Sequence, residues 1–298
     1  MKTAYTINIS SLLVIFSLVL ISSTVCSQQH VEMGMSQYFR NKLIWNAAYT
    51  GSEGNRYYAL QNRSWIGFDG APVLTSFSGE LNFGNNSALG VQVLSDKSGV
   101  LFRNHGIVNY SYKVKIDELQ TLRLGVALSF NGERLDGRVL DGNIDPLINN
   151  NLNRRTEFDG NFGAVYQIGD FDMGISFNRI GNNIRNSINN NVSFAVSQIG
   201  VSYRMNLTAD EKLLMRSIAM CRIYRQGEPI YDIGAEFSYN EMFHFMGVYQ
   251  TIGNIRAGAG LRKNGLGELN FFYNTNNRIS NNASQQYELG VGIYLKNK

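Results

Sequence analysis

The decapeptide Thr121–Phe130, TLRLGVALSF, decides the fold class because its bulky apolar residues occupy every second position. Successive side chains of a β-strand point to opposite faces of the sheet. The two faces of this segment carry Leu122, Leu124, Val126, Leu128 and Phe130 on one side and Thr121, Arg123, Gly125, Ala127 and Ser129 on the other. One bulky apolar face and one small or polar face are typical of a strand between lipid and the lumen of a membrane barrel.

Similar alternating segments, separated by turns rich in Gly, Asn and Asp, follow one another from Tyr57 to the end of the chain. With Thr121–Phe130 they number about 14, and the others are Tyr57–Trp65, Thr75–Phe83, Ala88–Ser95, Leu101–Val114, Glu157–Gln167, Phe171–Asn178, Val192–Arg204, Lys212–Tyr224, Ile230–Tyr239, Met242–Gln250, Ile255–Leu261, Leu266–Asn274 and Tyr287–Leu295. An even number of strands lets an antiparallel barrel close with both termini on one side. We therefore predict an all-β fold, a transmembrane up-and-down antiparallel β-barrel of about 14 strands.

The connections between the candidate strands fall into two length classes. Long polar connections span residues 131–156, 181–191 and 274–286, whereas residues 167–171 and 239–241 form tight turns. This difference predicts short periplasmic turns and long extracellular loops. Charged residues make up only 17% of the chain, and this scarcity, with 30 Gly, also indicates β-structure with many turns.

Aromatic residues lie near many of the predicted strand ends, where a membrane barrel has interfacial girdles. These residues are Trp65, Phe68, Tyr110, Tyr112, Tyr203, Tyr224, Tyr231, Tyr239, Phe271, Phe272, Tyr273, Tyr287 and Tyr294. We interpret them as girdle residues. The alternative is that they are core aromatics of a soluble β-sandwich adhesin.

The first 27 residues have the pattern of a secretory signal peptide. Lys2 precedes an apolar stretch at 7–21, and the small residues around Cys26 mark a cleavage site before Gln28. A transmembrane anchor and lipidation of Cys26 are the alternatives. The remaining chain has no apolar run near the ~20 residues that a membrane helix needs. We therefore expect an exported protein in the cell outer membrane, without an intrachain disulfide because Cys221 is then alone.

Between the signal peptide and the barrel, which we assign to residues 56–298, residues 28–55 form an irregular segment. This segment is too irregular for a spanning strand and too aromatic for a free tail. We expect it to fold into the lumen or to cap the periplasmic mouth, with Tyr38, Phe39, Trp45 and Tyr49 as anchors; an unstructured leader is the alternative. Gly70, Ala71 and Pro72 are expected to form the first hairpin turn, where proline's missing N–H is tolerated.

The stretch from Gln37 to Pro72 resembles the amino-terminal signature of the PorP/SprF family of outer-membrane proteins. The family pattern, roughly Gln-Tyr-Met-Phe-Asn-Pro-Leu-x-x-Asn-Pro-Ala-Tyr-Ala-Gly-Ser, is similar to Gln37–Ser52, although Lys42 and Ala47 stand at its two prolines. The second part of the family pattern is a strand with Arg-x-x-Trp-x-Gly that leads to Gly-Ala-Pro; here Gly67 and Gly70-Ala71-Pro72 match, whereas Arg63 stands one residue closer to Trp65 than in the pattern. The resulting candidates for family-motif and partner-docking positions are Gln37, Tyr38, Trp45, Asn46, Tyr49, Gly51, Trp65, Gly67, Gly70, Ala71 and Pro72.

The resemblance implies a non-enzymatic component of the type IX protein secretion and gliding motility apparatus of Bacteroidota. Its implied partners are periplasmic ring components, including a lipoprotein, inner-membrane motor components and, for some family members, a secreted adhesin with a sorting domain. The barrel itself would contact outer-membrane lipid. A passive transport barrel for small or hydrophobic solutes is the alternative, and a charged constriction would distinguish it. Its candidate lining residues are Arg63, Arg123, Glu80 and Glu236.

The sequence offers no pattern for catalysis, a cofactor or a metal. No triad motif surrounds His244, which we expect to face the lumen as a polar residue. Residues 141–145 begin like a calcium loop, but Pro146 and Leu152 break the pattern. Lys and Arg are scattered rather than clustered, so no nucleic-acid partner is predicted.

Overall fold

The computed structural model describes residues 37–65, 69–84, 86–135, 155–181, 196–224, 228–276 and 285–295. Fourteen antiparallel strands within these residues close into a barrel, in which sequence neighbours pair and β1 pairs with β14. The strands are β1 Arg56–Ser64, β2 Val73–Phe83, β3 Ser87–Ser98, β4 Leu101–Lys115, β5 Gln120–Leu135, β6 Arg155–Ile168, β7 Phe171–Asn178, β8 Val196–Asn206, β9 Leu213–Tyr224, β10 Ile230–Tyr239, β11 Phe243–Gln250, β12 Asn254–Lys263, β13 Gly267–Asn276 and β14 Gln285–Tyr294.

The prediction of an all-β, up-and-down antiparallel barrel of about 14 strands is confirmed. Each candidate segment corresponds to one strand, with ends moved by a few residues. The segment predicted from Val192 is described only from Val196, where β8 begins. Across the described ranges, no helix is both long and apolar enough to cross a membrane.

The two ends of the barrel differ in their connections. At the near end, where β1 begins and β14 ends, all six hairpin turns are short, such as residues 169–170 and 240–242. The longest connections, residues 136–154 and 179–195, belong to the far end, although this end also has the tight turn at 99–100. In outer-membrane barrels short turns face the periplasm, so the near end is the periplasmic one.

The barrel wall alternates between an apolar exterior and a mostly small or polar interior. In β5, Leu128 is 65% exposed on the outside, whereas Gly125, Ala127 and Ser129 are buried inside. The exposed apolar side chains lie on all fourteen strands or their connections, as lipid contact requires. The predicted faces of Thr121–Phe130 therefore match the structure.

Three aromatic residues assigned to the interfacial girdles face the lumen instead. Phe272 is only 2% exposed, Tyr224 accepts a hydrogen bond from Arg222, and Tyr294 lies under the guanidinium of Arg262. The girdle prediction was wrong for them because a shift of one residue along a strand moves a side chain to the opposite face. The other described members on strands point outward, among them Tyr110, Tyr203 and Tyr239.

Candidate functional site

The segment Gln37–Ser52, here called the lumen plug, lies inside the barrel. From Gln37 to Thr50 every side chain except Ile44 is buried. The plug contacts the wall on opposite sides: Gln37 donates to Glu288 of β14, and the carbonyl of Trp45 accepts from Ser176 of β7, seven strands away, at 2.9 Å. Contacts to both sides of a closed barrel require that the plug cross its lumen.

Asn46 organises the backbone of the plug. The plug contains two short 3-10 helices, Lys42–Ile44 and Ala47–Tyr49, and the Asn46 side chain caps the second by accepting from the N–H of Ala48 at 2.9 Å. The Asn46 amide nitrogen also donates to the carbonyl of Ile175 on β7 at 3.0 Å. One side chain therefore shapes the plug and fastens it to the wall.

Aromatic stacking gives the plug its own core. The rings of Tyr38 and Trp45 stack with centroids 5.0 Å apart, and Trp45 contacts Tyr49 at the same distance. These rings and Phe39 join a buried cluster of inward-facing wall residues, which are Val165, Ile218, Met220, Met246, Val248 and Phe272. The interior is therefore a packed hydrophobic core at the level of the plug, and packing of this kind excludes water.

Inward-facing glycines make room for the plug in the wall. A Cβ at Gly125 would overlap the Ala47–Ala48 peptide, and one at Gly163 would overlap the Asn46 side chain. A Cβ at Gly174 would lie 3.1 Å from the Trp45 ring. Gly125 and Gly163 are direct partners on β5 and β6, so the wall is thinnest where the plug backbone approaches it.

Buried charges also fasten the plug to the wall. Arg40, which is 2% exposed, forms an ion pair with Glu236 of β10 and lies 3.5 Å from Glu268 of β13. Its carbonyl accepts from Arg56 Nη1 at 2.6 Å. Lys42 Nζ lies 3.7 Å from Asp172 Oδ2, and burial lowers the pKa of Lys42 to about 8.

Two further wall carboxylates hold the ends of the plug. Glu80 accepts from the backbone N–H of Gly51 at 2.7 Å and from Arg56 Nε at 2.7 Å. At the other end, Gln37 donates to Glu288 and accepts from the Tyr58 hydroxyl at 2.5 Å. The plug is therefore anchored at both ends as well as in the middle.

The structure divides the candidate positions from the sequence into two groups. Gln37, Tyr38, Trp45, Asn46, Tyr49 and Gly51 come together in the plug. The others belong to the far-end connection between β1 and β2, where Trp65 has φ 53° and Gly70 has φ 75°. There the carbonyl of Pro72, preceded by Ala71, accepts from the N–H of Ser64 at 3.0 Å; Gly67 lies outside the described residues.

Of the charged residues suggested for a constriction, Arg123, Glu80 and Glu236 face the lumen. The suggestion was wrong for Arg63, which lies on the exposed face of β1 because the buried positions of that strand are the even-numbered ones. His244 faces the lumen, as predicted, with Nε2 3.2 Å from the carbonyl oxygen of Glu241.

Sequence reasoning missed the anchoring partners Arg40, Lys42 and Glu268. It also missed the inward-facing glycines Gly125, Gly163 and Gly174, which we call the glycine seat. A usable signal for the seat was the presence of Gly at inward positions of adjacent strands. No cluster of three or more potential metal ligands occurs in the described part of the chain, and residues 141–145 lie outside it.

A closed antiparallel barrel with an apolar exterior and a filled interior is the architecture of outer-membrane β-barrel proteins. Solved structures agree on the fold: the CymD monoaromatic hydrocarbon channel gives a TM-score of 0.54 at 12% identity, covering 86% of this chain and 93% of that chain. The Acinetobacter baumannii outer membrane protein Omp33 gives 0.50 at 8% identity, covering 81% and 97%. At these identities the likeness concerns the fold alone. A search of curated proteins finds no match.

The family model for the type IX secretion system membrane protein PorP/SprF matches residues 27–293. The chain therefore belongs to the PorP/SprF family. The fold and the family together imply a location in the outer membrane.

Proposed function

We propose that this chain is a non-enzymatic component of the type IX secretion apparatus that docks partner proteins and does not conduct solutes. Family membership supplies the first half of the proposal, since the family comprises type IX secretion membrane proteins. The lumen plug is the observation that carries the second half.

A transport barrel for polar solutes needs a continuous water-filled path through its lumen. Here the plug crosses the lumen and packs its aromatic rings against inward-facing apolar residues such as Met246 and Phe272. The ion pair of Arg40 with Glu236 fixes the plug to β10, and the side chain of Asn46 fixes it to β7. This arrangement closes the lumen to polar solutes.

Docking would use the surfaces at the two ends of the barrel. The near-end turns and the adjacent part of the plug would meet periplasmic ring components, and the far-end loops would meet a secreted adhesin with a sorting domain. The uniformly short near-end turns support this division, because, among the described residues, no long loop covers the mouth of the barrel at that end.

Deleting the gene in its native bacterium tests the secretion role. We expect less type IX cargo in the medium or less adhesin at the surface, with recovery on complementation. Unchanged cargo secretion and unchanged surface adhesins would refute the proposal. Conductance of the purified chain in a planar bilayer tests the docking mode: steady ion conductance would favour the transport alternative.

A further inference from the structure

The plug is the floor of a cavity of about 330 Å³ that lies at the near end of the barrel. We call it the near-end cavity. Its walls are inward-facing residues from β5 to β12, and its rim includes the exposed residues Asp170, Arg204 and Glu241 of the near-end turns and adjacent strand ends. Cavities of ~300–1,000 Å³ are typical of sites for small ligands, so a short peptide segment fits and a folded domain does not.

Several cations of this cavity already have acidic partners. Arg40 pairs with Glu236, and Arg204 lies 2.8 Å from Asp170. Arg262 lies 2.8 Å from Glu268, just beyond the lining. These pairs neutralise the rim and one side of the floor.

Three cations that line the cavity, Arg123, Arg216 and Lys42, have no carboxylate at hydrogen-bond distance within the described part of the chain. Among the described residues, Arg123 and Arg216 have no carboxylate oxygen within 4.0 Å and no side-chain hydrogen bond. The acidic contact of Lys42, to Asp172, is 3.7 Å long, which exceeds hydrogen-bond distance. Guanidinium and ammonium groups in a partly buried site gain from hydrogen bonds to an anion.

Two other acidic residues that line the cavity, Glu241 and Glu53, lie beyond hydrogen-bond distance of the side chains of Arg123 and Arg216. Glu241 lies in an exposed near-end turn and accepts from Asn264 at 3.0 Å. Glu53 lies where the chain leaves the plug towards β1. Burial raises the pKa of Glu53, but the charges of Lys42, Arg56 and Arg216 outweigh burial and lower it to about 2, so Lys42 and Arg216 are partly compensated at longer range. Arg123 on β5 and Arg216 on β9 lie on separate parts of the wall, so the cavity offers a carboxylate two forked donors and the Lys42 ammonium at its floor.

We propose that the near-end cavity binds a carboxylate-bearing peptide segment of a periplasmic partner, with Arg123, Arg216 and Lys42 holding its carboxylates. The assignment rests on the proposed function, which brings a partner to this end of the barrel. Because the plug forms the floor, the bound segment contacts the plug directly. Partner binding is thereby linked to the segment that closes the lumen.

Fluorescence anisotropy on the full chain in detergent tests the proposal, with a labelled hexaglutamate peptide as the probe and hexaglutamine as its neutral match. We expect salt-sensitive binding of hexaglutamate alone. The double substitution Arg123→Gln and Arg216→Gln should weaken it at least about tenfold, because each charge-assisted hydrogen bond contributes that much or more.

The matched control removes two far-end cations, Arg63→Gln and Arg134→Gln, and should leave binding within about twofold, since both side chains are exposed at the opposite end. Heat-modifiable gel mobility and circular dichroism verify that each variant is folded. Equal binding of the two peptides, or unchanged binding by the near-end variant, would overturn the proposal. Inorganic phosphate that competes as well as hexaglutamate would also overturn it in favour of a general anion site.

Complementation separates this inference from the proposed function. If deletion of the gene impairs secretion but the near-end double variant restores it fully, the cavity assignment fails and the secretion role stands. If deletion has no effect on secretion, the role fails, and the peptide measurements still decide whether the cavity binds carboxylates.

Discussion

Replacing Arg40 by methionine tests whether buried charges hold the plug in the lumen. Removing one partner of a buried ion pair costs ~3–5 kcal/mol, because it leaves an uncompensated charge. Glu268 keeps Arg262 at 2.8 Å, whereas Glu236 has no second ion pair among the residues the structure describes. We therefore expect Arg40→Met to destabilise the docked plug by about 3 kcal/mol, the lower end of that range.

Trypsin reports this change, since it cleaves after Lys and Arg. Lys42 is buried in the docked plug and remains as a cleavage site in the variant. A loss of about 3 kcal/mol raises the population of the undocked plug roughly 100-fold. When docking is fast relative to proteolysis, cleavage follows that population. The rate of cleavage after Lys42 should therefore rise by a similar factor.

Two variants make the result specific. Arg204 and Asp170 form an exposed pair, with side chains 50% and 51% accessible, so Arg204→Met should cost less than ~1 kcal/mol. The double variant Arg40→Met and Glu236→Gln should return most of the protection, because no unpaired carboxylate remains. Cleavage of Arg40→Met at the wild-type rate, or no recovery in the double variant, would refute the charge-pair account.

Three further outcomes are expected. Gly163→Ala should expose the plug to trypsin, because its Cβ overlaps Asn46, whereas Gly106→Ala, with open space at its Cβ, should not. The pKa of Lys42 is about 8 in the folded protein, against a reference value of 10.5 for the unfolded chain. Between pH 8 and 10.5 the unfolded chain therefore binds more protons than the folded protein. Urea unfolding in detergent should therefore show stability rising by up to ~3 kcal/mol from pH 8 to 10.5, with the rise absent in Lys42→Met. Deleting residues 37–52 should give planar-bilayer conductance above that of the full chain, and equal conductance would contradict the plug's role.

The strands could be predicted because one signal runs through all of them. Lipid outside and a filled lumen inside impose alternation with a period of two on every strand. Phe272 was wrongly assigned to the girdle because it lies near a predicted strand end, although the alternation of the strand predicts that it faces inward. Leu269 and Phe271 face outward and Glu268 and Asn270 inward, so Phe272 has to face inward as well.

The plug was less predictable than the wall. Its aromatic residues indicated burial, because a free tail has no use for four large rings. The wall residues that bind the plug could not be predicted from the sequence. Arg40 and Glu268, for example, are 228 residues apart and meet only when the barrel closes. Asp172 and Glu236 likewise had no local feature that distinguished them from other lumen-facing acids.

The glycine seat supports the conclusion that the lumen is built to be filled. Gly within a strand weakens it, and its presence often marks close approach by another backbone. Gly125, Gly163 and Gly174 lie at inward positions of β5, β6 and β7, where a Cβ would meet Ala47, Asn46 and Trp45. The wall would gain strand stability from larger residues there if the lumen were open. The position of the plug is therefore determined both by its own sequence and by the glycines of the wall that receives it.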